Sequence, residues 1–246
     1  MWGFSERQVT PYHVLITAAK NGGVLLGAFA GHQLVGFVFG FPGYQGQKVY
    51  HCSHKLAVRR DYRHLGVGLE LKLAQRQRLL DIGLDLATWT YDPLEAINAR
   101  LNLTRLGGIG RQYLVNLYGE FGGGLNRGTE TDRLVVEWQL ASQRVEQALA
   151  GTLAQAQPQL VALRAEGDPQ LPRPVQAELA EVPVVAVEIP RNYQVIKEQN
   201  HQLAVQWRLA SRSVFQWYLD WGYVATGVEH TPERVYYLLE KGPEIT

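Results

Sequence analysis

The chain has 246 residues, 46 % of them hydrophobic, and a formal net charge of +1. That length allows one large domain or two small ones, with enough apolar content to bury a core. The near-neutral charge gives no global reason to expect nucleic acid or an acidic membrane as a partner, so any basic function has to be local. Cys52 is the single cysteine, which excludes an internal disulfide framework and a multi-cysteine zinc site and fits a reduced compartment, the cytoplasm. No stretch reaches the roughly 18 apolar residues of a membrane span, and the opening MWGFSERQVTPYH has neither the basic start nor the apolar centre of a signal peptide.

In chain order, residues 10–20 read as a helix: Thr10 can cap it, Pro11 suits its first position, and Asn21-Gly22-Gly23 stop it. Two apolar runs flanking Gly31-His32 predict a β-hairpin, and residues 47–58 a third strand. A helix follows from Gly66 to its stop at Gly83, with Leu69, Leu73 and Leu80 on one face. Residues 84–91 read as a strand, and 92–107 as a helix capped by Asp92, with Pro93 in its first turn and Gly107 closing it. Strands are expected near 111–119 and 132–140. The predicted class is α/β with a mixed sheet.

From 142 to 183 the composition turns to Ala, Gln and Pro, and prolines at 158, 169, 172, 174 and 183 break long elements. This reads as a connecting segment between a first domain at 1–141 and a C-terminal lobe at 184–246. The lobe reads as a strand at 184–189, a long helix over roughly 192–221 and two strands, repeating the strand–helix–strand–strand order of 84–140. Trp207, Phe215, Trp217, Tyr218 and Trp221 read as core of that lobe, with a substrate pocket as the alternative.

The stretch HKLAVRRDYRHLGVGLELK, residues 54–72, carries a strand through a glycine turn into a helix. Such a turn leaves backbone N–H groups unpartnered at a helix N-terminus and makes an anion site. Arg59, Arg60, Arg63 and His64 add positive charge beside it. The spacing is not G-x-G-x-x-G and no Lys-Ser/Thr follows, so dinucleotide and P-loop readings fail.

The spacing that is present, Arg63-x-x-Gly66-x-Gly68, resembles the Q/R-x-x-G-x-G/A loop of the GNAT superfamily of acyl-CoA-dependent N-acyltransferases. The element order over residues 10–140 is similar to that fold, and residues 184–246 resemble its latter half. WTYDPLEAINARLNLTRLGG further resembles a branch of predicted GNAT proteins without an assigned substrate. The resemblance implies that backbone N–H groups of Leu65, Gly66, Val67, Gly68 and Leu69 hold the coenzyme A pyrophosphate. It implies that Leu56 and Val58 pair through their backbone with the pantetheine arm, that the strand at 84–91 splays away to open the slot, and that Asn98 contacts the same arm. The tyrosine that protonates the leaving thiolate in many GNAT enzymes is missing: its position falls near Leu103, leaving Asn102, Tyr113 or Tyr118 to substitute. Only about 23 residues precede the hairpin, too few for the strand and two helices that usually open the fold. Either the true start lies upstream or the first strand is absent, and a homodimer that completes the sheet is one answer.

Transfer to an amine needs a base, because the ammonium must lose a proton. By strand alternation Cys52 and His54 share a face with Leu56 and Val58, while His51 and Ser53 face the other way. His54 is the candidate base, against a hydrogen-bonded structural histidine. Cys52 reads as a small core residue rather than a nucleophile or metal ligand. Asp92, at a strand end, is either an amine-binding carboxylate or a helix cap. The loop GEFGGGLNRG at 119–128 reads as a plain connection, with a lid as the alternative. The expected function is acetyl transfer from acetyl-CoA to a small-molecule or peptide amine in a ternary complex, without a metal. The alternatives are a longer acyl or aminoacyl donor, and a CoA-binding protein without catalysis.

Overall fold

The computed structural model describes residues 9–119 and 128–242. The chain forms two compact units, one made of the chain up to Trp89 with Trp138–Ala141, the other of Thr90–Glu137 with Ser142 onward. Residues 120–127 of the glycine-rich loop lie outside the described residues.

In the first unit, α1 (Tyr12–Lys20) is followed by β1 (Val24–Ala30), β2 (Gln33–Gln45) and β3 (Lys48–Val58), an antiparallel meander. Then come α2 (Val67–Asp81) and β4 (Leu86–Tyr91). β3 and β4 run parallel, in register at His51↔Ala87 and Cys52↔Thr88. The β2–β3 register shifts between Phe39↔Lys55 and Gly40↔Ser53, so His54 is an extra residue, a bulge in β3. Gly40 is required beside it: a Cβ there would come within 2.2 Å of His51 Nε2 and 2.5 Å of the Cys52 carbonyl. The C-terminal piece of the unit is tied to it by backbone and side chain. Leu140 N–H donates to the Asp85 carbonyl at 2.7 Å, and Arg76 Nε donates to the Leu140 carbonyl at 2.7 Å.

The buried face of α2 differs from the expected one. It carries Leu71, Lys72, Gln75 and Leu79, whereas Leu69, Leu73 and Leu80 are half-buried. Two of the four inward positions are polar, so apolar spacing pointed to the flank of the helix rather than to its inner face.

The second unit holds α3 (Ala96–Ala99), β5 (Ile109–Leu114), β6 (Arg133–Gln139, begun here), α4 (Gln143–Ala150), β7 (Leu160–Glu166), β8 (Arg173–Gln176), β9 (Val184–Ile189), α5 (Tyr193–Gln199), α6 (His201–Asp220), β10 (Tyr223–His230) and β11 (Val235–Lys241). Its strands lie in the order β6-β5-β10-β11-β9-β7-β8. All six residues of β9 are buried, as a strand covered on both faces requires. α6 turns Leu203, Trp207, Val214, Phe215 and Tyr218 into the core, but Trp221 is 52 % exposed and stacks on Trp217, outside it.

Three further differences from the sequence reading have local causes. The stretch 142–183 forms α4, β7 and β8, with β7 parallel to β9. Pro158, Pro169 and Pro172 fall outside these strands, and Pro174 sits on β8, which ends the strand order and tolerates the missing N–H. The helix expected from Asp92 opens instead as a turn, with Glu95 N–H donating to the Asp92 carbonyl at 3.0 Å. It becomes α-helical only at Ala96 and widens to a π-helix over Arg100–Arg105. The single helix expected over 192–221 is broken at Asn200, whose side chain caps α6 by accepting from Leu203 N–H at 3.0 Å.

Candidate functional site

The turn between β3 and α2 leaves the first N–H groups of the helix uncapped. A short 3₁₀ turn at Arg60–Tyr62 leads to His64 with φ 64° and Gly66 with φ 82°, both left-handed. Gly66 is the N-cap of α2, and no side chain caps that end. The first intrahelical bond runs from Glu70 N–H to the Gly66 carbonyl at 3.1 Å, so the N–H groups of Val67, Gly68 and Leu69 have no partner from the helix itself. A Cβ at Gly66 would meet nothing within 4 Å, so the space in front of this turn is open. At Gly68 a Cβ would lie 3.9 Å from both Leu56 Cδ2 and Val58 Cγ2, so the helix start and the end of β3 line one place. Arg63, His64 and Leu65 are exposed beside it, and Arg63 Nε donates to the Val58 carbonyl at 3.4 Å. Arg59 pairs with Asp61 at 3.7 Å, which offsets part of the loop's charge.

On β3, residues 53–58 have no register partner on β4 among the described residues. His54 stands at the bulge against Phe41 and Phe39, ring centroids 5.6 and 6.2 Å away. Partial burial, then the Lys55 charge, lower its pKa, so the imidazole is neutral at pH 7. Cys52 is half-buried, and burial raises its pKa and keeps the thiol protonated. As alternation predicts, His51 and Ser53 point the other way and are buried against α2.

Asp92, Asn98 and Tyr113 belong to the second unit. Asn98 is exposed on α3. Asp92 is not a helix cap: its carboxylate accepts Leu94 N–H at 2.9 Å and two bonds from Arg208, at 2.9 and 2.6 Å. Arg133 lies 3.9 Å from it. Tyr113 donates to Asp132 Oδ2 at 2.8 Å and stacks on Phe215. Burial, then the Asp132 charge, push its pKa up. Both residues are thus engaged in one charged network, which suits neither a free base nor a proton donor.

No family model matches the sequence, and no curated protein matches it. The chain is similar to solved structures of acetyltransferases. One is an acetyltransferase of the GNAT family from Streptococcus pneumoniae, at 16 % identity and TM-score 0.42, covering 51 % of this chain and 71 % of that one. Another is the ribosomal-protein-S18-alanine N-acetyltransferase from Escherichia coli, at 16 % identity and TM-score 0.40, covering 51 % of this chain and 76 % of that one. A third is aminoglycoside 6'-acetyltransferase type Ii, at 17 % identity and TM-score 0.41, covering 53 % and 77 %.

Two polar groupings escaped sequence reasoning. In the second unit, Arg208 and Arg212 sit one turn apart on α6. Arg212 Nε donates to Asp132 Oδ2 at 2.8 Å and its Nη2 pairs with Glu130. Two arginines at i and i+4 on a helix whose one acidic residue is Asp220 were the available signal. In the first unit, Lys72, Gln75, Ser53 and His51 form a buried chain of hydrogen bonds. Nothing in the spacing of Lys72 and Gln75, two ordinary helix residues, marks them as inward-facing. No group of three or more His, Cys, Asp or Glu suited to a metal occurs among the described residues. No helix among them is long and apolar enough to cross a membrane.

Proposed function

We propose that the chain is an acyl-CoA-dependent N-acyltransferase of the GNAT type, with acetyl transfer to a primary amine as its default reaction. The observation that carries this reading is the juxtaposition in the first unit: an uncapped helix N-terminus behind a left-handed glycine, open in front, beside a strand whose parallel pairing stops short. A pyrophosphate fits the N–H groups of Val67, Gly68 and Leu69 together with Arg63, since backbone donors and the helix dipole favour negative charge there. The edge of Ser53–Val58 fits an extended amide-bearing arm, which would pair with it as a strand does. Acyl-CoA supplies the thioester carbonyl that the amine attacks. An N–H of β3 near Leu56 would hold the developing oxyanion. His54, neutral at pH 7 and half-exposed at the bulge, would take the ammonium proton directly or through water.

One observation favours a second reading, CoA binding without turnover. The carboxylate of Asp92 and the hydroxyl of Tyr113 are already engaged, which leaves His54 as the unengaged member of the three catalytic candidates. Titration calorimetry with acetyl-CoA, free CoA and a long-chain acyl-CoA tests the common core of both readings, and turnover with an amine separates them. Gly66→Asp puts a carboxylate against the anion, so it should weaken acetyl-CoA binding by about 100-fold or more; the left-handed φ of 82° strains any side chain there, at a cost of about 1 kcal/mol that leaves the fold in place. Unchanged affinity in that variant removes the loop from the proposal.

A further inference from the structure

The parallel pairing of β3 with β4 ends at Cys52↔Thr88. The next residues on the two strands are Ser53 and Trp89, and both meet the same side chain, Lys72 of α2. Its Nζ donates to Ser53 Oγ at 3.1 Å and to Gln75 Oε1 at 2.9 Å, and lies 3.5 Å from the centroid of the Trp89 ring. Ser53 Oγ donates in turn to Gln75 Oε1 at 2.9 Å, and Gln75 Nε2 donates to His51 Nε2 at 3.1 Å. Trp138 closes the site at 87° to Trp89. Lys72 is 2 % exposed, and no carboxylate pairs with it among the described residues. Burial lowers its pKa well below the usual lysine range, while the indole face and two oxygen acceptors favour the ammonium. An apolar side chain of the same length would fill this space without the desolvation cost, so packing alone does not call for lysine here.

We propose that Lys72 is a positioning residue that sets where β3 and β4 part, keeping the backbone of Ser53–Val58 open for the acyl-CoA arm. The inference rests on the acyl-CoA reading above. The ammonium needs oxygen on one side and a π-face on the other, and here the oxygen belongs to β3 and the ring to β4. It therefore holds, by its side chain, the first residue of each strand beyond the β3–β4 pairing, at the branch. Because Lys72 is anchored on α2, the same helix orients the branch and, at its other end, the Gly66 turn.

Three proteins decide it: wild type, Lys72→Met and Leu79→Ala, the last removing a fully buried side chain of the same helix. Each is read by acetyl-CoA calorimetry, urea unfolding and amide hydrogen exchange of residues 53–58. Lys72→Met should keep the wild-type unfolding midpoint, lose about tenfold in acetyl-CoA affinity and exchange more slowly at 53–58, where β4 would close onto the edge of β3. Leu79→Ala should lower the midpoint and leave affinity in place. Wild-type affinity and exchange in Lys72→Met overturn the inference, as does an affinity that falls in step with stability in both variants. If the wild type binds no CoA, the acyl-CoA reading fails on its own. Exchange at 53–58 then still decides Lys72, with an unchanged rate overturning it. Should Lys72→Met not fold, Ser53→Ala carries the same exchange measurement, with the same direction expected.

Discussion

The two units bury charge in opposite ways. In the second, Asp92 meets Arg208 through two hydrogen bonds, Arg133 stands 3.9 Å away, and Asp132 is held by Arg212 and Tyr113. Each of these four groups, Asp92, Asp132, Arg208 and Arg212, faces an opposite charge. In the first unit Lys72 faces a hydroxyl, an amide oxygen and two indole rings instead. A paired network is costly to break and has little chemical freedom, whereas an ammonium held by neutral partners holds its place only through their geometry. The comparison separates a site that ties a sheet to a helix from one that sets the shape of a slot.

The comparison can be broken most forcefully in the second unit. Arg208→Met leaves Asp92 buried at 8 % exposure without its bidentate partner and should cost about 3–5 kcal/mol in urea unfolding. Adding Asp92→Leu to it should return most of that loss, and a single variant as stable as wild type would mean that the pair is not buried as described. In the first unit the largest effect should come from pH. Burial, then the Lys72 charge, lower the His51 pKa from 6.5 to about 4. Between those values an unfolded histidine binds a proton that the folded one excludes, so stability present above pH 6.5 is lost as pH falls toward 4. The whole step is about 3 kcal/mol, and His51→Gln should flatten it. The sharpest functional contrast is His54→Ala, expected to lower turnover about 10²-fold with acetyl-CoA affinity unchanged. Because the His54 pKa is lowered, wild-type turnover should stay level at neutral pH and fall only in acid, and that limb should vanish in the variant.

Much of the fold was legible in the sequence. Asn21-Gly22-Gly23 ends a helix, Gly31-His32 turns a hairpin, and Gly66 and Gly83 bracket a helix, because each places a left-handed or flexible residue where a regular element has to stop. The left-handed turn before α2 was legible for the same reason, since Arg63-x-x-Gly66-x-Gly68 encodes backbone conformation as well as side chains. Proline content misled at 142–183, where an edge strand accommodates Pro174. Asp92 was legible as a strand-end carboxylate but not as the partner of Arg208, which lies 116 residues away in sequence. Lys72 and Gln75 were hidden because periodicity counts apolar side chains and these two face inward as polar ones.

The division of the chain has one more consequence. The first unit is discontinuous: it needs Trp138–Ala141, delivered only after the 48 residues from Thr90 to Glu137 have been made. Trp138 and Leu140 are fully buried in it. A growing chain therefore carries the Gly66 turn and its helix long before the last piece of their core exists. During synthesis the slot would be among the later features to become rigid, and a nascent chain cut anywhere before residue 138 should expose the Trp89 and Lys72 side chains to water or to a chaperone.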